Sequence, residues 1–314
     1  MLYPKKETKQ LDMELFKNPS KEYRAAPFWA WNCELSKEVL EKEIEVMKEM
    51  GFGGYYMHTR VGMATKYISE EFMDLIRACI EKGKAEDMYA YLYDEDRWPS
   101  GTAGGFTTQD NDENLQKILY FTYTPYNDGT LVSEYDIKKS KAPEGKYKLI
   151  SCYDVELNEE SRLVSYKEIG LGEEVAQGHE KWFAYMEYGA YCDTMRKSTI
   201  DKFIKLTYEA YKNACKGDFG TNTPTIFTDE PNMRSKKPLE RASDKKGAIL
   251  PYTNDLEDTF KAKYGISLKK HIPELFFERA DREPSRVRYL YHDHTTERFA
   301  EAFAYNIGKW CGEN

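Results

Sequence analysis

The chain has 314 residues, of which 40% are hydrophobic and 32% charged, with a formal net charge of -8. That is enough apolar chain for a large core, in one large or two medium domains. The acidic balance, with no basic run longer than Lys138–Lys141, argues against a nucleic-acid partner.

The first residues, Met1-Leu-Tyr-Pro-Lys-Lys-Glu-Thr-Lys-Gln10, lack the apolar stretch of a secretory leader, and no segment approaches a membrane span. A cytoplasmic protein without a membrane partner is therefore expected. The first predicted strand is Ala26–Asn32. Ser36 then caps a helix with Glu38 in its first turn, and Leu40, Ile44 and Met47 form its apolar stripe up to Gly51. A second strand, Phe52–Arg60, ends in His58 and Arg60. Ser69 caps a second helix whose buried face is Phe72, Met73, Ile76, Cys79 and Ile80. The third strand is Met88–Tyr93. Strand, helix, strand, helix, strand with short connections means parallel strands joined by crossover helices. No GxGxxG turn follows the first strand, so a dinucleotide fold is disfavoured.

From about residue 115 to 188 the pattern becomes β-like, with strands near Ile118–Tyr123, Tyr147–Tyr153, Arg162–Lys167 and Lys181–Met186. Turn residues separate them at Asn127–Gly129 and Pro143–Gly145. This reads as an antiparallel sheet inserted after the third strand. Helical spacing returns with Ser198, Ile200, Phe203, Ile204, Tyr208 and Tyr211, up to Gly217, followed by a fourth parallel strand, Pro224–Thr228. A charged loop (235–247), a short helix (Leu256–Tyr264) and a long amphipathic stretch (about Arg286 to Cys311) complete the chain. The expected organisation is 1–113, the first βα units of a barrel; 114–190, an inserted β-rich subdomain; and 191–314, a truncated continuation of the barrel. The expected fold class is α/β, a (β/α)8 barrel incomplete at its C-terminus, since four strands are visible and about eight are needed for closure. The six cysteines are scattered without a CxxC pair, which fits reduced usage and gives no zinc spacing.

The strand ends carry the candidate chemistry. Tyr93-Asp-Glu-Asp-Arg-Trp-Pro-Ser-Gly101 closes an aromatic strand with three acids, and Phe227-Thr-Asp-Glu-Pro231 repeats the grammar. Carboxylates beside an aromatic platform at the carboxyl edge of parallel strands suit a hydroxyl-rich ligand, and the 25 tyrosines and five tryptophans offer flat apolar area, although most tyrosines read as sheet residues. Glu230, partly walled by apolar neighbours, is the candidate proton donor; the competing reading is a loop carboxylate that caps the next element. Asp229 beside it reads as a partner for loop backbone. Alternation puts Asp94 and Asp96 on one side and Glu95 on the other. They could hold vicinal hydroxyls or a hard cation, or pair with Arg97. Trp98 could stack on a sugar or plug the rim. His58 and Arg60 alternate toward one mouth, and Trp31 and Asn32 at the end of the first strand join the candidate binding set. His292 and His294, at i and i+2 on the last helix, read as surface or packing residues. Hydrolysis of a glycosidic bond needs two carboxyl groups, and only one strong candidate is visible; the second is expected at Asp94 or Asp96, or beyond residue 314.

Together, Pro27–Asn32, Gly51–His58, Tyr93–Gly101 and Phe227–Pro231 resemble glycoside hydrolase family 106, the α-L-rhamnosidases of bacteria that degrade plant polysaccharides. The resemblance runs from about Asn18 to Asn314, and the Asp-Glu-Asp-Arg-Trp-Pro-Ser-Gly segment is its most specific part. It implies a (β/α)8 barrel, an inverting mechanism with two glutamates, calcium dependence and a carbohydrate substrate. Glu230 would take the acid role. Neither the general base nor a calcium ligand falls on an identifiable residue of this chain. A barrel that binds carbohydrate without turning it over is the alternative. An epimerase or lyase is disfavoured, because no strand-end lysine stands ready to stabilise the product.

Overall fold

A computed structural model of the chain describes residues 10–124, 147–233, 236–239 and 247–314. The chain divides into two compact units: Met1–Thr107, Asp201–Pro231 and Lys309–Asn314 in the first, Thr108–Ile200 and Asn232–Gly308 in the second. The turns read at Asn127–Gly129 and Pro143–Gly145, and most of the charged loop, fall outside the described residues.

In the first unit, local sequence chemistry sets the helices. After a short helix α1 (Met13–Lys17) and strand β1 (Phe28–Trp31), Ser36 caps α2 (Lys37–Glu49) by accepting a hydrogen bond from the Val39 amide. Ser69 does the same for α3 (Glu70–Ala85) through the Phe72 amide at 3.2 Å. Strand β2 (Gly54–Thr59) pairs in parallel with β1, and β3 (Tyr89–Tyr93) pairs in parallel with β2. The later strand β8 (Ile226–Phe227) pairs in parallel with β3, giving the order β1-β2-β3-β8. At Gly54 the β2 backbone runs so close to β3 that a Cβ would lie 2.7 Å from the Tyr89 carbonyl oxygen, so only glycine fits.

The two faces of this sheet differ in chemistry. Trp29, Trp31, Tyr55 and Met57 meet the helices: Trp31 packs edge-on to Phe72 at 5.8 Å, and the Tyr55 hydroxyl donates to the Cys79 carbonyl. On the opposite face a ladder of rings runs across the strands. Phe28 contacts Tyr56 and His58, Tyr56 stacks on Tyr91 at 4.5 Å, and Phe227 touches His58 and Tyr93. Each such pair contributes on the order of 1 kcal/mol beyond its buried area.

The second unit is built on an antiparallel sheet of β4 (Leu115–Thr122), β5 (Tyr147–Leu157), β6 (Leu163–Ile169), β7 (Glu180–Cys192) and β9 (Ala248–Tyr252), in the order β6-β5-β7-β4-β9. The sequence reading does not pick out β9, whose Ala-Ile-Leu-Pro-Tyr carries a proline. Pro251 is tolerated because β9 is an edge strand, where a missing amide donor leaves no central ladder bond unmade. The larger core lies on one face of the sheet, and Tyr120, Cys152, Phe183 and Tyr185 form a smaller cluster on the other. Phe121 is sandwiched between Trp182 (5.0 Å) and Phe276 (4.7 Å), and Leu256 and Phe260 of α6 (Leu256–Tyr264), α7 (Pro273–Phe276) and Val287 and Tyr291 of α8 (Arg286–Phe299) complete the larger core.

The helical stretch read from Ser198 up to Gly217 is broken at Thr207 into α4 (Lys197–Leu206) and α5 (Tyr208–Cys215). The terminal stretch continues from α8 through a π-helical turn, Ala300–Tyr305, into α9 (Asn306–Glu313). His294 is buried against Phe260 and Tyr264 with its Nε2 3.0 Å from the Thr259 hydroxyl, whereas His292 meets Lys236. The fold is thus mixed α/β, with one parallel and one antiparallel sheet. Among the described residues the parallel sheet has four strands and does not close into a barrel.

Candidate functional site

The carboxyl ends of β2, β3 and β8 bring His58, Tyr93, Trp98, Asp229 and Glu230 together within the first unit. His58, on the ring-lined face, is 3% exposed and stacks on Tyr93 with ring centroids 3.9 Å apart and planes 9° from parallel. Burial, seconded by the nearby Arg60 guanidinium, holds its pKa below the usual histidine range, against the opposing pull of Asp229. At neutral pH the ring is therefore an uncharged imidazole, suited to hydrogen bonding and stacking and unsuited to donating a proton as a cation. Its Nδ1 is buried without a hydrogen-bond partner among the described residues. The Tyr93 hydroxyl reaches Asp229 Oδ2 at 3.4 Å, and burial followed by the Asp229 charge pushes that phenol well above its ordinary value.

The loop 96–104 forms one wall. The Trp98–Pro99 peptide is cis, the Trp98 ring is more than half exposed, and its Nε1 donates to Glu230 Oε2 at 3.2 Å. Ser100 ties this loop to the end of β8: its amide donates to the Asp229 carbonyl at 2.9 Å and its hydroxyl accepts from the Asp229 amide at 2.8 Å. Both contacts run through the Asp229 backbone, while its carboxylate accepts from the Tyr93 hydroxyl.

Glu230 differs from the environment read from the sequence. It is exposed, and its carboxylate accepts from the Trp98 indole. Its backbone sits at φ 44°, in the left-handed region that costs a non-glycine residue about 1–2 kcal/mol. Strain of this kind gathers at functional positions. Arg60 and Asn32 are both exposed, and the Arg60 amide donates to the Trp31 carbonyl, which ties the two strand ends together.

Trp31 and Asp94 lie elsewhere. The Trp31 side chain is buried on the helix-facing side. Asp94 also points to that side, fully buried, with Oδ1 accepting from the Ser100 hydroxyl at 2.5 Å and Oδ2 from the Tyr208 hydroxyl of α5 at 2.7 Å. Burial raises its pKa to about 7, despite the stabilising hydrogen bonds of Ser100, Thr228 and Tyr208. Asp94 therefore meets protein hydroxyls. The physical reason is parity: His58 and Tyr93 face the ring-lined side, and the residue after Tyr93 must face the other. Asp96 is nearly buried and holds the Arg97 guanidinium at 2.8 Å, which is the ion pair that competes with ligand binding.

Sequence reasoning gave Glu95 no role. Its carboxylate is fully buried and is ringed by donors of its own loop. The glycine-rich composition of residues 101–105 is the sequence signal that a backbone anion cradle is present. The three consecutive acids at 94–96 thus face three different sets of partners. Among the described residues, no three His, Cys, Asp or Glu side chains come together to hold a metal ion. The donor sets of Asp94, Glu95 and Asp96 do not fit calcium, because their oxygens are already engaged by hydroxyls, amides and Arg97 respectively.

No family model matches the sequence, and no curated protein matches it. Among solved structures, the fold is similar to that of a rhamnosidase from Novosphingobium sp. PP1Y, with a TM-score of 0.53 and 10% sequence identity. The match covers 96% of this chain and 46% of that one, so the chain spans about half the length of that rhamnosidase. At this identity the likeness is one of fold, and a fold by itself assigns no chemistry. Among the described residues no helix is long and apolar enough to cross a membrane.

Proposed function

We propose that the chain carries the saccharide-binding part of a glycoside hydrolase of the rhamnosidase type, built on a (β/α)8 plan and acting with inversion on terminal α-L-rhamnosyl or related deoxysugar linkages of plant-type glycosides. The observation that carries this reading is the meeting of His58, Tyr93, Trp98, Asp229 and Glu230 at the carboxyl ends of parallel strands. Glu230 protonates the departing oxygen. Trp98 orients that carboxyl group through its indole N–H and offers a ring to the sugar's apolar face. Neutral His58, Arg60 and Asp229 bind hydroxyls, with Asn32 at the rim. Asp94 and Asp96 support the loop from behind.

The test is hydrolysis of an aryl α-L-rhamnoside by the wild type and by Glu230→Gln. The expected loss in turnover is about 10²–10⁴-fold, and near-normal turnover by the variant ends the assignment. A second reading, a carbohydrate-binding protein without turnover, is favoured by one observation: Asp94 and Asp96, the candidates for the second acid, are already engaged. Calorimetry with rhamnose alongside the assay separates the two, since heat of binding without product supports the second.

A further inference from the structure

Glu95 is an acid enclosed by amides. Its Oε1 accepts from the backbone N–H of Asp96 (2.9 Å) and Gly104 (2.5 Å). Its Oε2 accepts from the N–H of Gly101 (3.0 Å), Thr102 (2.7 Å) and Ala103 (2.9 Å) and from the Thr102 hydroxyl (3.1 Å). Six donors from the loop's own residues thus converge on two oxygens. No cation pairs with the group among the described residues. The loop curls around it through consecutive left-handed residues, Ala103 (φ 50°), Gly104 (φ 67°) and Gly105 (φ 98°), after Gly101 at φ 130°. A Cβ at Gly104 would press on Asp96 Cβ at 3.3 Å and Tyr67 at 3.4 Å, so the curl packs tightly against Asp96 and Tyr67.

The donor geometry decides the charge state. Burial pushes the Glu95 carboxyl up, while the amides of Gly104, Asp96, Thr102 and Ala103 pull it down. A protonated carboxyl would turn an O–H against at least one inward N–H, and a carboxamide would turn two hydrogens against two or more of them. Only a carboxylate satisfies all six donors at once.

The same loop carries Trp98 to Glu230 and Ser100 to Asp229. Resting on the strand-end reading of the site, we infer that Glu95 is a positioning residue: its carboxylate organises the loop 96–104 and thereby fixes Trp98 against Glu230. The ligand that would replace it is a small carboxylate, because the cradle is made of main-chain donors shaped around one.

Glu95→Ala in the full chain tests this by chemical rescue. Two readouts are independent of turnover: amide hydrogen exchange at residues 101–104, and acrylamide quenching of Trp98, obtained by difference from Trp98→Phe. Exchange in Glu95→Ala should rise by at least about tenfold, with Trp98 more quenched. Sodium formate should restore both, whereas formamide, neutral and of similar size, should restore neither. Unchanged exchange, or equal rescue by formamide, overturns the inference. Should Glu95→Ala fail to fold, Thr102→Val removes a single donor and should raise exchange at residues 102–104 by about twofold to fivefold; no rise overturns the inference. On an aryl rhamnoside, kcat should fall on the order of 10²-fold in Glu95→Ala and recover with formate. A loosened loop with wild-type kcat, in a protein whose Glu230→Gln variant is inactive, sinks the positioning role alone. Absence of turnover in the wild type sinks the glycosidase reading and leaves the exchange and quenching results to decide the loop.

Discussion

Both units of the molecule bury an aspartate, and they differ in what meets it. In the parallel unit, Asp94 is surrounded by hydroxyls, those of Ser100, Tyr208 and Thr228, and its pKa rises to about 7. In the antiparallel unit, Asp193 accepts from the Thr253 hydroxyl at 2.6 Å and the Met195 amide at 3.1 Å, and it lies 3.8 Å from the ammonium of Lys117, itself fully buried. There, burial raises Asp193 to about 6 against the lysine's pull, and burial lowers Lys117. The lysine completes its shell with the Glu113 carbonyl and the face of Tyr188. One unit buries an acid that can take up a proton, and the other buries a charge pair. The comparison teaches that burial alone does not fix the role of an acid; its partners do.

The largest expected effect separates these two cases. Lys117→Met leaves Asp193 buried without its cation and should cost about 3–5 kcal/mol in urea unfolding, most of which Lys117→Met with Asp193→Asn should recover. A single variant as stable as the wild type would erase the distinction between the units. Asp94→Asn should behave in the opposite way. An acid whose folded pKa lies above its unfolded value binds protons more tightly when folded, so its contribution to stability is lost as pH rises from about 4 to about 7. The variant should therefore gain on the wild type between about pH 4 and pH 7, by an upper bound on the order of 4 kcal/mol. Parallel stability profiles for the two proteins would show that Asp94 does not titrate differently on folding. The smallest effect sharpens the local side of the picture. Ser69→Ala removes the cap of α3 and should cost about 1 kcal/mol, independently of pH.

The parallel βα units are the part of the fold most legible in the sequence. Leu40, Ile44 and Met47, and Phe72, Ile76 and Cys79, repeat at helical spacing, and Ser36 and Ser69 mark the helix starts. These are local signals. What is not local escapes. Strand β9 is a short run with a proline, and its identity comes from pairing with β4, about 130 residues earlier in the chain. Of the candidate site, the meeting of Trp98 with Glu230 follows from strand ends sharing one edge, which the sequence suggests. The face on which Asp94 lies depends on knowing that Tyr93 shares a side with His58, a tertiary fact. The cradle around Glu95 depends on backbone amides, which every residue has, and only its glycines hint at it.

The backbone at Glu230 is held in the left-handed region. Glycine or asparagine would occupy φ 44° with less strain than glutamate does. Glu230→Gly should then melt no lower than the wild type while losing its acid, as thermal scans and the rhamnoside assay would reveal. Screening this protein for thermal tolerance alone would select against the very side chain proposed to do its chemistry, so any programme of hardening the fold must hold position 230 fixed.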